Sequence, residues 1–188
     1  PILLCLGASN KFSPFYDWVF LEIIKRINNC QLVFMDDIHG ASEILKKRLK
    51  LLINDAGLNF NKHIIFIPQQ SRIGFSTLMK NSDILLDTIG FSGMNTAMQA
   101  IGCGLPIITR EGDFQRTRHA SAILKTIGAE ELIANSEEEY IALIEKITFD
   151  PDFQKRIRVK IIDNEHLLYR DISAVRALED FFTDVGEI

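Results

Sequence analysis

The sequence is poor in several residue types, and each shortage excludes a class of protein. It has three cysteines in 188 residues, without Cys-x-x-Cys or Cys-x-x-His spacing, which argues against a disulfide framework or a zinc site. No apolar run approaches the roughly 20 residues that a membrane-spanning helix needs. The 21 basic residues do not outnumber the 25 acidic ones, so the chain lacks the positive excess of a general nucleic-acid binder.

The remaining composition is that of a globular protein, with 47% hydrophobic and 24% charged residues. The three cysteines lie among apolar neighbours, which predicts buried free thiols, a reducing compartment and a cytoplasmic protein. The chain starts at Pro1, not at a methionine, and the apolar run 2–6 follows at once. We therefore expect residues 1–188 to form a single domain taken from a longer protein.

Short apolar runs alternate along the chain with longer segments of helical periodicity. Strands are predicted at 2–6, 31–35, 63–67, 83–87, 106–109 and 132–133. Helices are predicted at 13–28, 41–56, 71–80, 93–103, 115–127 and 140–148, from Asp150 onward, and at 173–184. Strands without alternation, each followed by a helix, indicate a parallel sheet covered on both faces. The expected fold is α/β: a doubly wound, mostly parallel, six-stranded Rossmann-like sheet with C-terminal helices.

Ligands of such sheets bind beyond the carboxyl ends of the strands. The segment 87–96, after the fourth predicted strand, carries Gly90 and Gly93 and leads into a helix whose first turn holds Asn95 and Thr96. Unpaired amides and the positive dipole end favour a phosphate there. The alternative is an ordinary strand-to-helix turn capped by Ser92 or Asn95.

Two other loops at this edge carry polar candidates. Lys11 follows the first strand and is placed to meet the same phosphate from the opposite side, although this residue taken alone favours a solvated surface lysine. His39 stands beside Asp36 and Asp37, a trio that suggests either a metal site or a polar turn. The sequence has no P-loop, nucleophile elbow, HExxH or complete GxGxxG motif.

The run 85–109 resembles the C-terminal, donor-binding half of the protein O-linked N-acetylglucosamine transferases. Further matching segments are 5–14, 116–121, 127–128, 131–134 and 138–140. The family implies one Rossmann-like half of a two-domain GT-B fold. It also implies a UDP-sugar donor carrying GlcNAc or glucose, a protein acceptor, and an N-terminal half that is often joined to tetratricopeptide repeats. The sugar donor is a substrate, and neither a cofactor nor a metal is expected.

The resemblance also suggests donor-binding residues. By position Lys11 and Thr96 match diphosphate contacts, Arg72 matches a lysine near the uracil, and Gly93 belongs to the same loop. Asn95 is closer to the bacterial protein N-glucosyltransferases of the same superfamily. No residue of this chain stands out as a catalytic base, which is expected in the missing N-terminal half.

The chain departs from the family pattern at several positions. Gln99 replaces an acid that holds the ribose hydroxyls, Met94 replaces a histidine, and Ala8 replaces a glutamine. Two alternatives to a protein glycosyltransferase therefore stay open. One is a non-catalytic binding domain that keeps the half-fold. The other is a GT-B transferase that acts on a small glycan or a lipid carrier.

Overall fold

The computed structural model of the chain describes residues 1–37, 40–169 and 171–186. Within these ranges, six strands form one sheet in the order β3-β2-β1-β4-β5-β6, and every neighbouring pair is parallel. The strands are β1 Ile2–Cys5, β2 Gln31–Met35, β3 Ile64–Ile67, β4 Ile84–Leu86, β5 Ile107–Arg110 and β6 Ile133–Ala134. The predicted α/β sheet is confirmed, and it is parallel throughout.

Helices cover both faces of this sheet. They are α1 Asp17–Arg26, α2 Ala41–Asp55, α3 Phe60–His63, α4 Arg72–Lys80, α5 Met94–Ile101, α6 His119–Thr126, α7 Glu137–Phe149, α8 Pro151–Asn164 and α9 Ser173–Gly186. The central strands are fully buried, as Leu3, Leu4 and Ile107 show with 0% exposure. Burial on both faces explains why these strands lack polar alternation in the sequence.

Several predicted boundaries are wrong. The helix predicted at 115–127 opens with a separate 3-10 turn, Gln115–Thr117, and α6 begins only at His119. Two other differences lie at Ser13 and His63. The helix predicted from Ser13 begins instead as a 3-10 turn, Pro14–Tyr16, in which the Ser13 hydroxyl accepts the N–H of Phe15 at 3.4 Å, and α1 starts at Asp17. His63, predicted to open a strand, ends α3; its buried ring contacts the carbonyl oxygen of Cys30 through Nδ1 at 3.1 Å. Each of these short helical segments begins at a side-chain cap that periodicity does not reveal: Ser13 before Pro14–Tyr16, and Asn59, whose Oδ1 accepts the Asn61 N–H at 3.0 Å, before α3.

The cysteines form no disulfide in the described residues, but their burial differs. Cys5 and Cys30 are buried, whereas Cys103 is only half-buried beside Ser76. Burial raises the pKa of the Cys5 thiol well above its usual range and that of Cys30 to about 11. Among the described helices, none combines the length and the apolar character needed to cross a bilayer.

The strand order fixes where a ligand site is expected. The chain moves from β1 outward to β3, then returns to place β4 on the other side of β1. The loops that leave β1 and β4 therefore diverge to opposite faces and open a crevice between them at the carboxyl edge.

Candidate functional site

A cleft of about 520 Å³ lies at this carboxyl edge. The loops after β1 to β4, the start of α5 and α6, and one side chain of α4 form its walls. The lining residues are Leu6, Gly7, Ala8, Ser9, Lys11, Met35, Asp37, Gln69, Phe75, Phe91, Ser92, Gly93, Met94, Asn95, Thr96 and His119. Its size falls in the range of small-molecule sites.

The β4–α5 loop is anchored by the carboxylate of Asp87. One oxygen accepts the N–H of Gly93 at 2.8 Å, and the other accepts the hydroxyl of Thr109 at 2.7 Å. The buried phenol of Tyr140 donates to the backbone carbonyl of Asp87 at 3.0 Å. Gly90 turns the chain with φ of +86°, a conformation that favours glycine, whereas Gly93 keeps an ordinary φ of −90°.

Asp87 is a buried carboxyl beneath a helix N-terminus. Burial raises its pKa above the usual range, while the hydrogen bonds from Gly93, Ser92 and Thr109 act in the opposite direction by stabilising the charged form. Because both carboxylate oxygens already accept protein hydrogen bonds, we infer that Asp87 shapes the loop and does not react with a ligand.

The first turn of α5 has no side-chain cap among the described residues, and Gly93 occupies its N-cap position. Ser92, one of the two caps considered from the sequence, serves the neighbouring helix instead. Its hydroxyl accepts the N–H of Ala120 in α6 at 2.9 Å, and its own N–H donates to the Arg116 carbonyl at 2.8 Å. The α5 amides at the cleft are thus left for a ligand, at the positive end of the helix dipole.

Lys11 reaches the cleft from the other wall. It ends the 3-10 turn Ser9–Lys11 after β1, and its Nζ lies 4.2 Å from the centre of the Phe91 ring. Within the described residues it takes part in no ion pair. The Arg48 guanidinium fixes the same loop by donating to the Phe12 carbonyl at 2.8 Å.

Four of the six donor-binding candidates line this cleft: Lys11, Gly93, Asn95 and Thr96. Arg72 and Gln99 are exposed, and neither belongs to the described lining. The difference is one of position along each helix, because residues three or four apart share a helix face. Arg72 lies nearly a turn before Phe75 in α4, and Gln99 lies about a turn beyond Asn95 and Thr96 in α5.

Several lining residues were not selected from the sequence. His119 opens α6, and Gln69, Phe75 and Phe91 come from loops or helices at the carboxyl edge. Because ligands of such sheets bind at the carboxyl edge, the loops that carry most of these residues could be predicted. The local sequence does not show which side chains of those loops face the cleft.

Asp37, which follows β2, is bonded to the start of α2. Asp37 accepts the N–H of Ala41 at 3.0 Å and that of Ser42 at the start of α2. His39 lies outside the described residues. Within the part of the chain that the structure describes, no group of three or more His, Cys, Asp or Glu side chains is placed to hold a metal ion.

The chain is similar to known glycosyltransferases in sequence. The model of glycosyl transferase family 41 matches residues 9–170. The probable UDP-N-acetylglucosamine–peptide N-acetylglucosaminyltransferase SPINDLY of Petunia hybrida is 29% identical over 79 residues, which is 42% of this chain and 8% of that protein. The UDP-N-acetylglucosamine–peptide N-acetylglucosaminyltransferase of Caenorhabditis elegans is 29% identical over 80 residues, 43% of this chain and 7% of that protein.

Solved structures share the fold. A mutant O-GlcNAc transferase of Thermobaculum terrenum superposes with a TM-score of 0.83 at 22% identity, over 97% of this chain and 35% of that one. The pneumococcal O-GlcNAc transferase GtfA, in complex with UDP and GlcNAc, gives 0.58 at 17% identity, over 99% of this chain and 35% of that one. The chain thus spans under a tenth of these curated relatives and about a third of these solved chains.

Proposed function

Because the chain belongs to glycosyl transferase family 41, we propose that its cleft binds the diphosphate of a UDP-sugar donor whose sugar is transferred to a protein side chain. One observation carries the proposal: Lys11 from the β1 loop and the uncapped N-terminus of α5 converge on one cleft at the switch point of the sheet. An ammonium group opposite helix amides suits a pyrophosphate bearing negative charge on both phosphates.

The proposed pose follows from the chemistry of the walls. The pyrophosphate lies against the amides of 94–96, with the Thr96 hydroxyl and the Asn95 amide as side-chain donors and the Lys11 ammonium opposite. The base lies toward the half-buried ring of Phe75, because aromatic side chains stack on nucleobases. Arg72 and Gln99, outside the lining, contribute less to UDP affinity than Lys11 and Thr96.

In this mechanism the donor half stabilises the leaving group. Negative charge grows on the diphosphate as the bond to the anomeric carbon breaks, and fixed amides and an ammonium group stabilise that charge without reorganising. These groups take the place that a metal ion holds in other transferases. We assign no catalytic base to this chain, and we propose that the acceptor side lies in another domain of a cytoplasmic parent protein.

The experiment is a calorimetric titration of the 188-residue chain with uridine, UMP and UDP. The proposal predicts that affinity rises with each phosphate. Lys11→Met and Thr96→Val should each lower the affinity for UDP about 10-fold, the effect of losing one charge-assisted or one strong hydrogen bond. Neither substitution should change the affinity for uridine.

Lys50→Met is the matched control, since Lys50 is an exposed lysine of α2 outside the cleft. It should bind UDP as the unaltered chain does. Equal UDP affinity in all four proteins would refute the site. If the chain binds UDP but the full-length parent protein transfers no sugar, the non-catalytic alternative is favoured. Gln99 and Met94, both exposed, are the departures from the family pattern that support this alternative.

A further inference from the structure

We propose that Phe91 is a positioning residue that holds the Lys11 ammonium at the mouth of the cleft through a cation–π contact. The inference rests on the proposed function, because it assigns a role at the same diphosphate site. Phe91 is 40% exposed, so burial in the core does not account for its place. The Lys11 Nζ lies 4.2 Å from its ring centre, well within the distance at which a ring face attracts a cation.

The ring is attached to an anchored piece of backbone. The Phe91 N–H donates to the Thr88 carbonyl at 3.2 Å, and the next residue, Ser92, is buried and bonded to both Arg116 and Ala120. The lysine, by contrast, has a flexible four-carbon stem and no ion pair in the described residues to fix it. The aromatic side chain is therefore the fixed member of the pair and the lysine the mobile one.

This contact matters for diphosphate binding because of conformational entropy. A free lysine side chain loses rotamer freedom when it is fixed on a phosphate. Gly93, where the diphosphate site begins, is only two residues after Phe91. A Phe91 ring that already confines the Lys11 ammonium there reduces the rotamer freedom that the lysine loses when UDP binds. The expected gain in UDP affinity is about two- to fivefold, the size of a cation–π contact at an exposed site.

The test is a double-mutant cycle for UDP binding by the 188-residue chain. Phe91→Leu keeps an apolar side chain and removes the ring, whereas Phe91→Tyr keeps the ring. We expect Phe91→Leu to lower the affinity for UDP about two- to fivefold. The Phe91→Tyr variant should bind UDP as tightly as the unaltered chain. In a Lys11→Met background Phe91→Leu should cause no further loss, and uridine affinity should not change in any variant.

An equal loss from Phe91→Leu with and without Lys11, or a loss for uridine, would overturn the proposal, because the ring would then contact the nucleotide itself. Phe114→Leu is the control. Phe114 is also an exposed phenylalanine against a cation, with the Arg116 guanidinium carbon 4.6 Å from its ring centre, but it does not line the cleft. It should leave UDP affinity unchanged.

A second measurement needs no nucleotide. The Nζ–ring geometry predicts an upfield ring-current shift of the Lys11 ε-methylene protons that persists in Phe91→Tyr and disappears in Phe91→Leu. Absence of the shift in the unaltered chain would overturn the contact. If the shift is present but UDP does not bind, the proposed function fails. If UDP binds without coupling between Phe91 and Lys11, this inference alone fails.

Discussion

Replacing Gly7 with alanine tests how closely the β1 and β4 loops pack at the switch point. A Cβ built on Gly7 would overlap Oγ1 of Thr88, and Thr88 is itself buried, so one of the two loops would have to shift. Overpacking of this kind costs about 1–3 kcal/mol of unfolding free energy. For a chain of this size each kcal/mol lowers Tm by about 2–4 °C.

Urea unfolding of the chain measures this cost directly. Adding Thr88→Ala to Gly7→Ala removes the clashing oxygen, so the double variant should be more stable than the sum of the two single losses predicts. Gly186→Ala is the control, because no atom lies within 4 Å of the added Cβ. An unchanged stability for Gly7→Ala, or strictly additive losses in the double variant, would refute the packing argument.

Two further predictions concern side chains that hold the walls of the cleft. Because burial raises the pKa of Asp87, its carboxyl binds a proton more tightly in the folded than in the unfolded chain. The stability of the unaltered chain relative to Asp87→Asn should therefore be greatest near pH 4 and fall as pH rises, by at most about 1.4 kcal/mol per unit, in urea unfolding at pH 4–8. A relative stability that stays constant or rises with pH would contradict this sign. Arg48→Met removes the donor to the Phe12 carbonyl and the partner of Asp17, and should cost about 1–3 kcal/mol. Calorimetric unfolding should show a loss that shrinks when Asp17→Asn is added; an equal loss with and without it would contradict the pairing.

Much of the fold was predictable because local pattern and burial agree in this chain. The strand Ile2–Cys5 is apolar throughout, and three of its four residues have 0% exposure, so the sequence already indicates a covered parallel strand. The Ser136 side chain accepts the N–H of Glu139, as the capping pattern before α7 predicts. Such local patterns predict the structure correctly here because the tertiary contacts stabilise the same local conformations.

The candidate site was predictable only in part. Sheet topology alone brings Lys11 and the start of α5 to the same edge, and the structure places both in one cleft. The ring of Phe91 beside Lys11 depends on two loops 80 residues apart in the chain, and the Ser92–Ala120 bond joins residues 28 apart. Such contacts follow from loop conformation, which neither periodicity nor turn chemistry specifies. That Phe75 lines the cleft and Arg72 does not depends on how far α4 extends beyond the cleft wall, which the local sequence does not specify.

A crystal structure of the chain with UDP would show directly whether Lys11 and the start of α5 hold the diphosphate. We predict that the pyrophosphate lies within about 3 Å of the Lys11 Nζ and of the amides at 94–96, the distance of charge-assisted hydrogen bonds. UDP bound elsewhere on the chain, or bound in the cleft with its phosphates turned to solvent away from α5, would contradict it.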